Sequence, residues 1–219
     1  MNILIVGANG QIARHLIKKL SPTEHTVTAM LRSEEQFDAL QKLGADKTVL
    51  GDLEGNISHS FAGIDTVVFT AGSGGHTGAD KTMLIDLWGA IKTIDEAKRQ
   101  NVSRFIMVSA KNTENPEEGP YSMRHYYIAK KLADDHLKRS NLNFTIIRPG
   151  RLVNEPETGH VLIKEKITDS SENSITREDV AGVIAEAISR DDLHGKTFEL
   201  LNGNQKISEA LDQFIGDNV

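Results

Sequence analysis

The first 150 residues alternate between two patterns, and that alternation leaves few folds open to the chain. Short β-branched runs lie at Asn2–Val6, Thr26–Leu31, Lys47–Leu50, Thr66–Thr70, Arg104–Ser109 and Asn143–Arg148. Amphipathic stretches separate them at Gln11–Leu20, Glu34–Leu43, Asp80–Gln100 and Met123–Ser140, with a short one at Ile57–Phe61. The runs are apolar nearly throughout rather than alternating, as strands covered on both faces must be. Repetition of this kind predicts right-handed βαβ units and an α/β fold with a doubly wound parallel sheet.

After Gly150 the rhythm changes. Arg151–Asn173 is polar and carries one strand candidate, His160–Lys164. Thr176 followed by Arg177-Glu178-Asp179 offers an N-cap and an acidic first turn for a helix reaching about Ser189. A strand at Lys196–Leu201 and a helix at Ile207–Phe214 close the chain. The tail is too short to stand alone. Residues 1–219 are therefore expected to form one domain, with 151–219 as a small cap at the carboxyl edge of the sheet, where doubly wound proteins bind ligands.

The first strand runs straight into Gly7-Ala8-Asn9-Gly10-Gln11-Ile12-Ala13, a G-x-x-G-x-x-A turn that opens a helix. Gly7 permits the tight turn, and Gly10 lets the amides around Asn9, Gln11 and Ile12 approach a pyrophosphate. Ala13 lets the helix pack close to the sheet, and the helix start supplies a positive dipole end. The position of the turn, as the first strand–helix connection of an alternating chain, points to a dinucleotide. The end of the second strand selects which one. An NAD site usually places an acid there, about 20 residues beyond the glycines. Here Leu31 is followed by Arg32 and Ser33, with no acid before Glu34. Arg32 offers a planar fork for a 2′-phosphate and Ser33 a hydroxyl, which favours NADP(H) over NAD(H). Asp52 and Leu53 end the third strand, where a carboxylate can accept from an adenine amino group. Ala71, Gly72 and Ser73 end the fourth, small enough for backbone to lie against the cofactor.

Composition removes competing chemistries. The chain has no cysteine, so thiolate nucleophiles and Cys-ligated metals are excluded. Its eight histidines form no HExxH or HxH arrangement, and no metal is expected. A formal charge of −6 argues against a nucleic-acid surface. No run approaches the ~18 apolar residues of a membrane span, and the amino terminus lacks a signal-peptide pattern, so a cytoplasmic location is expected.

The three tyrosines lie within seven residues, at 121, 126 and 127. Tyr126-Tyr127-Ile128-Ala129-Lys130-Lys131 contains Y-x-x-x-K twice, and residues four apart share a helix face. Taking Ile128, Ala129, Leu132, Ala133 and Leu137 as the apolar half places Tyr126 and Lys130 at its edge, towards the interior or a cleft. Tyr127 and Lys131 then fall with Asp134 and Lys138 on the wet side. A free phenol has a pKa of ~10, and a neighbouring ammonium can lower it by ~1–3 units, fitting Tyr126 for proton transfer at a carbonyl or alcohol oxygen.

Together these motifs resemble the short-chain dehydrogenase/reductase superfamily, in its atypical branch of compact NAD(P)-binding proteins related to sugar epimerases and dehydratases. The likeness covers nearly the whole chain. It rests on Gly7, Gly10 and Ala13, on Gly51-Asp52-Leu53, Ala71-Gly72, Asp86-x-x-Gly89, Ser109, Tyr126-x-x-Ala129-Lys130, Arg148-Pro149-Gly150 and the stretch Ile175–Ala181. It implies a Rossmann fold, Pro149 and Gly150 beside the nicotinamide, and a catalytic set of Tyr126, Lys130 and Ser109. Lys130 would also bind ribose. Alignment with longer epimerase-type members puts Ala110, not Ser109, at the usual Ser/Thr position. The chain is also much shorter than nucleotide-sugar epimerases. The expected function is thus NADP(H)-dependent reduction of a small carbonyl or quinone-like substrate. A non-catalytic NADP(H) redox sensor and a sugar epimerase/dehydratase-like enzyme stay open. Oligomeric state stays open in the sequence, with a homodimer among the options because homodimers are common in the superfamily.

Overall fold

Strand β1 (Asn2–Val6) occupies the middle of the molecule because both of its faces are apolar. Ile3 and Ile5 point into one hydrophobic core, Leu4 and Val6 into the other, as the two-residue period of a strand requires. The computed structural model describes residues 1–75, 77–168 and 173–217. Position 76 of the glycine-rich loop and positions 169–172 of the polar stretch Arg151–Asn173 lie outside the described residues.

Strand β1 is joined by β2 (Thr26–Leu31), β3 (Lys47–Leu50), β4 (Thr66–Phe69), β5 (Arg104–Val108) and β6 (Phe144–Pro149), and then by β8 (His160–Lys164), β10 (Lys196–Asn202) and β11 (Gln205–Lys206). Among the described residues they make one nine-stranded sheet in the order β11-β8-β10-β6-β5-β4-β1-β2-β3. Strands β1 to β6 and β10 pair in parallel, while β8 runs antiparallel to β10 and β11. Two short strands, β7 (Arg151–Val153) and β9 (Ser174–Thr176), make a separate parallel pair. The doubly wound parallel architecture follows the alternation in the sequence. Chain order reverses at β1, which is flanked by β2 on one side and β4 on the other, and such a reversal opens a crevice at the carboxyl ends of the strands.

Helices cover both faces. On one lie α1 (Gln11–Leu20) and α6 (Arg177–Ile188), and α7 (Ile207–Asp217) adds Leu211 and Phe214 to the same core. The shorter α2 (Phe37–Leu43) follows a 3₁₀ turn, and Gly44 at φ +119° ends it in the left-handed conformation. The other face carries the stretch expected as one helix at Asp80–Gln100. It divides into a short α3 (Ala79–Lys81), a π-helical segment Thr82–Gly89 and α4 (Ala90–Arg99). Helix α5 (Arg124–Lys138) packs beside them.

The tail past Gly150 adds β8, β10 and β11 to the main sheet, and α6 packs on α1. Thr176 caps α6 by accepting from the Asp179 amide at 2.9 Å. The buried Asp179 carboxylate takes the Thr158 and Gly159 amides at 3.0 and 2.8 Å, fastening the preceding loop to the helix start. Among the described residues, no helix is long and apolar enough to cross a membrane.

Candidate functional site

The glycine turn is shaped by contact rather than by flexibility alone. Gly7 sits at φ +81°, and a Cβ there would lie 2.6 Å from the Ala71 Cα. Only glycine meets both demands. Gly10 precedes α1 as its N-cap without a side-chain cap, and no acid occupies the first turn. The first amides of the helix are therefore free to meet an anion. Asn9 accepts a hydrogen bond from Arg14 Nη1 at 2.9 Å, bracing the turn against the helix it opens.

A cavity of about 430 Å³ opens at this turn, within the range usual for small-molecule sites. Of the residues singled out in the sequence, Gly7, Asn9, Gly10, Arg32, Asp52, Leu53, Ala71, Gly72 and Ser73 line it. Gln11, Ile12 and Ser33 do not, and Lys130, Pro149 and Gly150 lie elsewhere. Arg32 is exposed and makes no ion pair or hydrogen bond among the described residues. Asp52 uses one carboxylate oxygen to accept from the Glu54 amide at 2.9 Å. Glu54 and Lys81, which sequence reasoning passed over, also line it and pair at 2.5 Å. Asp86 was quoted only as part of a motif. It is buried on the π-helical segment and holds the Ser73 amide at 3.0 Å, fixing the loop after β4.

The second group of residues assembles on α5. Tyr126, Lys130 and Asp134 follow one another at four-residue intervals along the face turned to the sheet. Lys130 is 2 % exposed, donates to the Val108 carbonyl at 2.8 Å and lies 5.8 Å from the Phe69 ring centre. Burial draws its ammonium below the usual lysine range, against the attraction of Asp86 and Asp134. Tyr126 and Tyr127 meet edge to face at 5.7 Å.

Three expectations need correction here. Burial, with the negative charge of Asp86 next in weight, pushes the Tyr126 phenol above its ordinary range rather than below it. Lys130 does not offset this, because its own charged form is disfavoured by the same burial. Ser109 donates its hydroxyl hydrogen to Asp134 at 2.9 Å, and a hydroxyl has one hydrogen to give, so in this arrangement it cannot also donate to a substrate oxygen. Lastly, Ile128 and Leu132 are exposed, at 46 % and 49 %, while Lys130 and Asp134 are buried. The buried face is thus turned about a quarter revolution from the apolar arc. Tyr127 and Lys131 are half-buried rather than mostly solvated.

Asp134 is the residue the sequence hid. Fully buried, it accepts from Ser109 at the end of β5 and from Arg148 Nε at 3.0 Å on β6. Arg148 Nη2 is also 3.0 Å from the same oxygen, as an ion-pair contact rather than a directed hydrogen bond. Arg148 Nη1 reaches Glu114 at 2.8 Å. Burial raises the Asp134 carboxyl, and Arg148 and Lys130 oppose that rise. Glu114, half-exposed, is held below the usual carboxylate range by its bond to Arg148. The Pro149–Gly150 turn that follows is covered, since a Cβ on Gly150 would meet Leu201 at 2.3 Å and the Asn173 carbonyl at 2.8 Å. Among the described residues, no three acidic or histidine side chains converge as a metal site.

An uncapped glycine turn at the reversal of a parallel sheet is a nucleotide-binding geometry of the Rossmann type. The chain belongs to the NAD(P)H-binding family, whose model matches residues 7–191, and so to the Rossmann proteins related to NAD-dependent epimerases/dehydratases and atypical short-chain dehydrogenases/reductases. It is 42 % identical over 215 residues to a Bacillus subtilis protein named uncharacterized sugar epimerase YhfK, covering 96 % of this chain and 99 % of that one. A solved Bacillus halodurans structure, provisionally described as an NAD-dependent epimerase/dehydratase, superposes with a TM-score of 0.95 at 54 % identity, covering 97 % of this chain and 99 % of that one. The oxidoreductase ylbE from Lactococcus lactis gives 0.86 at 32 %, covering 99 % and 97 %.

Proposed function

We propose that the chain is an NADP(H)-dependent oxidoreductase that reduces a small carbonyl or quinone-like substrate, working as one domain with residues 151–219 on the substrate side. The free amides opening α1 and the close Gly7–Ala71 approach suit a pyrophosphate. Arg32, lining the cavity without an ion pair among the described residues, suits a 2′-phosphate. When bound, the nicotinamide supplies hydride. Lys130 and the Pro149–Gly150 turn are assigned to its ribose and ring.

The observation that carries the reading is the uncapped glycine turn, whose free amides open onto a cavity that Arg32 also lines. Tyr126, one helical turn before the buried Lys130 on α5, is assigned as the proton donor to the substrate oxygen. Asp134 keeps Ser109 occupied, so Ser109 presents lone pairs and would orient a substrate donor group rather than polarise a carbonyl.

Calorimetric titration with NADPH and NADH tests the cofactor, with Arg32→Glu expected to weaken NADPH far more than NADH. Equal losses would refute the 2′-phosphate role. A quinone and carbonyl panel followed by NADPH absorbance tests the chemistry. Tyr126→Phe should abolish turnover and Tyr127→Phe should retain it. Tight NADPH binding with no consumption across the panel would favour a redox sensor instead.

A further inference from the structure

Four charged side chains line the cavity at the glycine turn: Arg32, Asp52, Glu54 and Lys81. Arg32 and Asp52 have places in the cofactor reading, and Glu54 and Lys81 have none. These two bond to each other, Lys81 Nζ donating to Glu54 Oε1 at 2.5 Å.

The pair reaches the cavity from two separate segments. Glu54 follows β3, and Lys81 ends α3, the first helical turn after β4. The strand order β4-β1-β2-β3 places β1 and β2 between those two strands, so the ends of β3 and β4 stand three strand spacings apart, about 14 Å. The bridge therefore ties together the segments that flank the carboxyl ends of β1 and β2, where the glycine turn and Arg32 follow. Its Glu54 end is mounted on a fixed backbone. The Glu54 amide donates to Asp52 Oδ1 at 2.9 Å and the Gly55 amide to the Asp52 carbonyl at 2.8 Å. Lys92 donates to the Gly55 carbonyl at 2.8 Å, and a Cβ on Gly89 would lie 3.1 Å from Leu53. The residues on either side of Glu54 are thus held to the helical layer. What can swing is the pair of long side chains, 41 % exposed for Lys81 and 38 % for Glu54. Such a swing is a rotamer change and needs no loop opening.

We infer that the Glu54–Lys81 bridge is a positioning pair that closes across the adenosine half of the bound dinucleotide and slows its departure. The inference rests on the cofactor reading. A pyrophosphate on the glycine turn and a 2′-phosphate on Arg32 set the adenosine between those two anchors, in the part of the crevice that the bridge flanks. Arg32 holds the ligand by charge. The bridge holds it by a bond between two protein groups that carry no net charge together. Glu54 also neutralises Lys81, which leaves Arg32 as the cation without an ion pair among the described cavity residues and draws the phosphate to one place.

Release of NADPH from the full chain tests the inference, followed by cofactor fluorescence in stopped flow after displacement with excess adenosine 2′,5′-bisphosphate. A partly exposed pair is worth about two- to fivefold in such a rate, so Glu54→Gln and Lys81→Met should each speed release by that factor. Glu54→Lys combined with Lys81→Glu rebuilds the bridge with its charges exchanged and should restore the wild-type rate. The gap between wild type and the single variants should close in 1 M salt, where the screening length is about 3 Å. Unchanged release in both single variants would overturn the inference, as would an exchanged pair that releases as fast as they do. Slower release from Glu54→Gln with faster release from Lys81→Met would overturn it too, and assign Lys81 to a phosphate. A wild type that binds no NADPH by calorimetry removes the cofactor reading and the bridge with it, whereas normal wild-type binding with unchanged variants removes the bridge alone.

Discussion

The two halves of the site are built by opposite strategies. Around the glycine turn the structure leaves donors free: α1 starts without a side-chain cap and Arg32 stands without an ion pair among the described residues. Beside Tyr126 the side chains bond to one another and to the sheet, Lys130 to Val108, Ser109 to Asp134 and Arg148 to both Asp134 and Glu114. The first half keeps groups vacant, as a ligand site would. The second holds a geometry by spending its groups on one another. Affinity should accordingly reside in the first half and rigidity in the second.

The largest test of that division is Asp134→Ala. It leaves Arg148 buried with only Glu114, and breaking a buried pair on one side costs about 3–5 kcal/mol. Urea unfolding should show a loss of that order. Adenosine 2′,5′-bisphosphate, a probe of the glycine-turn half alone, should bind the variant within about twofold of wild type, a difference worth under ~0.5 kcal/mol. A large loss of probe binding would mean that the halves are not separable.

Gly7→Val is the converse. Left-handed backbone and overlap with Ala71 should cost about 2–4 kcal/mol in thermal or urea unfolding. Binding of the same probe should fall below detection by calorimetry. Retained binding would place the phosphates elsewhere.

A smaller effect is read by ultraviolet titration of the phenols in the cofactor-free protein. Because Tyr126 is raised by burial, Tyr126→Phe should leave the titration near the ordinary phenol pKa of ~10 unchanged. Loss of a normal titration step in Tyr126→Phe would refute the raised phenol.

The smallest effect concerns Glu114. Its folded pKa lies below the unfolded value, so its bond to Arg148 adds stability above the unfolded pKa, lost as pH falls through the folded one. Asp134 has the opposite sign, contributing most at low pH and less as the pH rises. Glu114→Gln should therefore flatten the acid limb of the stability profile. Because Glu114 is half-exposed, the difference should stay under ~1 kcal/mol. An unchanged acid limb in urea unfolding would argue against the pair.

How far the sequence disclosed these halves follows from where their partners lie. The glycine turn is local: Gly7, Gly10 and Ala13 state their purpose within seven residues, and β1 to β3 begin and end where the apolar runs do. Asp134 has no local signature. Four residues beyond Lys130, it reads as one more charge on a wet face, and its partners come from positions 109 and 148. Counting only apolar residues also misplaced the buried face of α5, because two of its most buried members are a lysine and an aspartate. The π-helical winding of Thr82–Gly89 was hidden too, since an i→i+5 pattern leaves little trace in a stretch read as a single α-helix.

That winding makes the segment sensitive to length in a way the rest of the helical layer is not. A π-helical turn holds more residues than an α turn, so the stretch from Lys81 to Ala90 carries slack that a one-residue deletion would remove. Shortening it at exposed Met83 would let the helix rewind as α and swing the chain upstream of the deletion around the axis, by about 100° for each residue taken out. The loop after β4 would then be displaced from the carboxylate that Asp86 offers to Ser73. Substitutions on the outer surface of this segment should be borne easily, while insertions and deletions within it should be purged, so the reading frame of the helix is itself part of the candidate site.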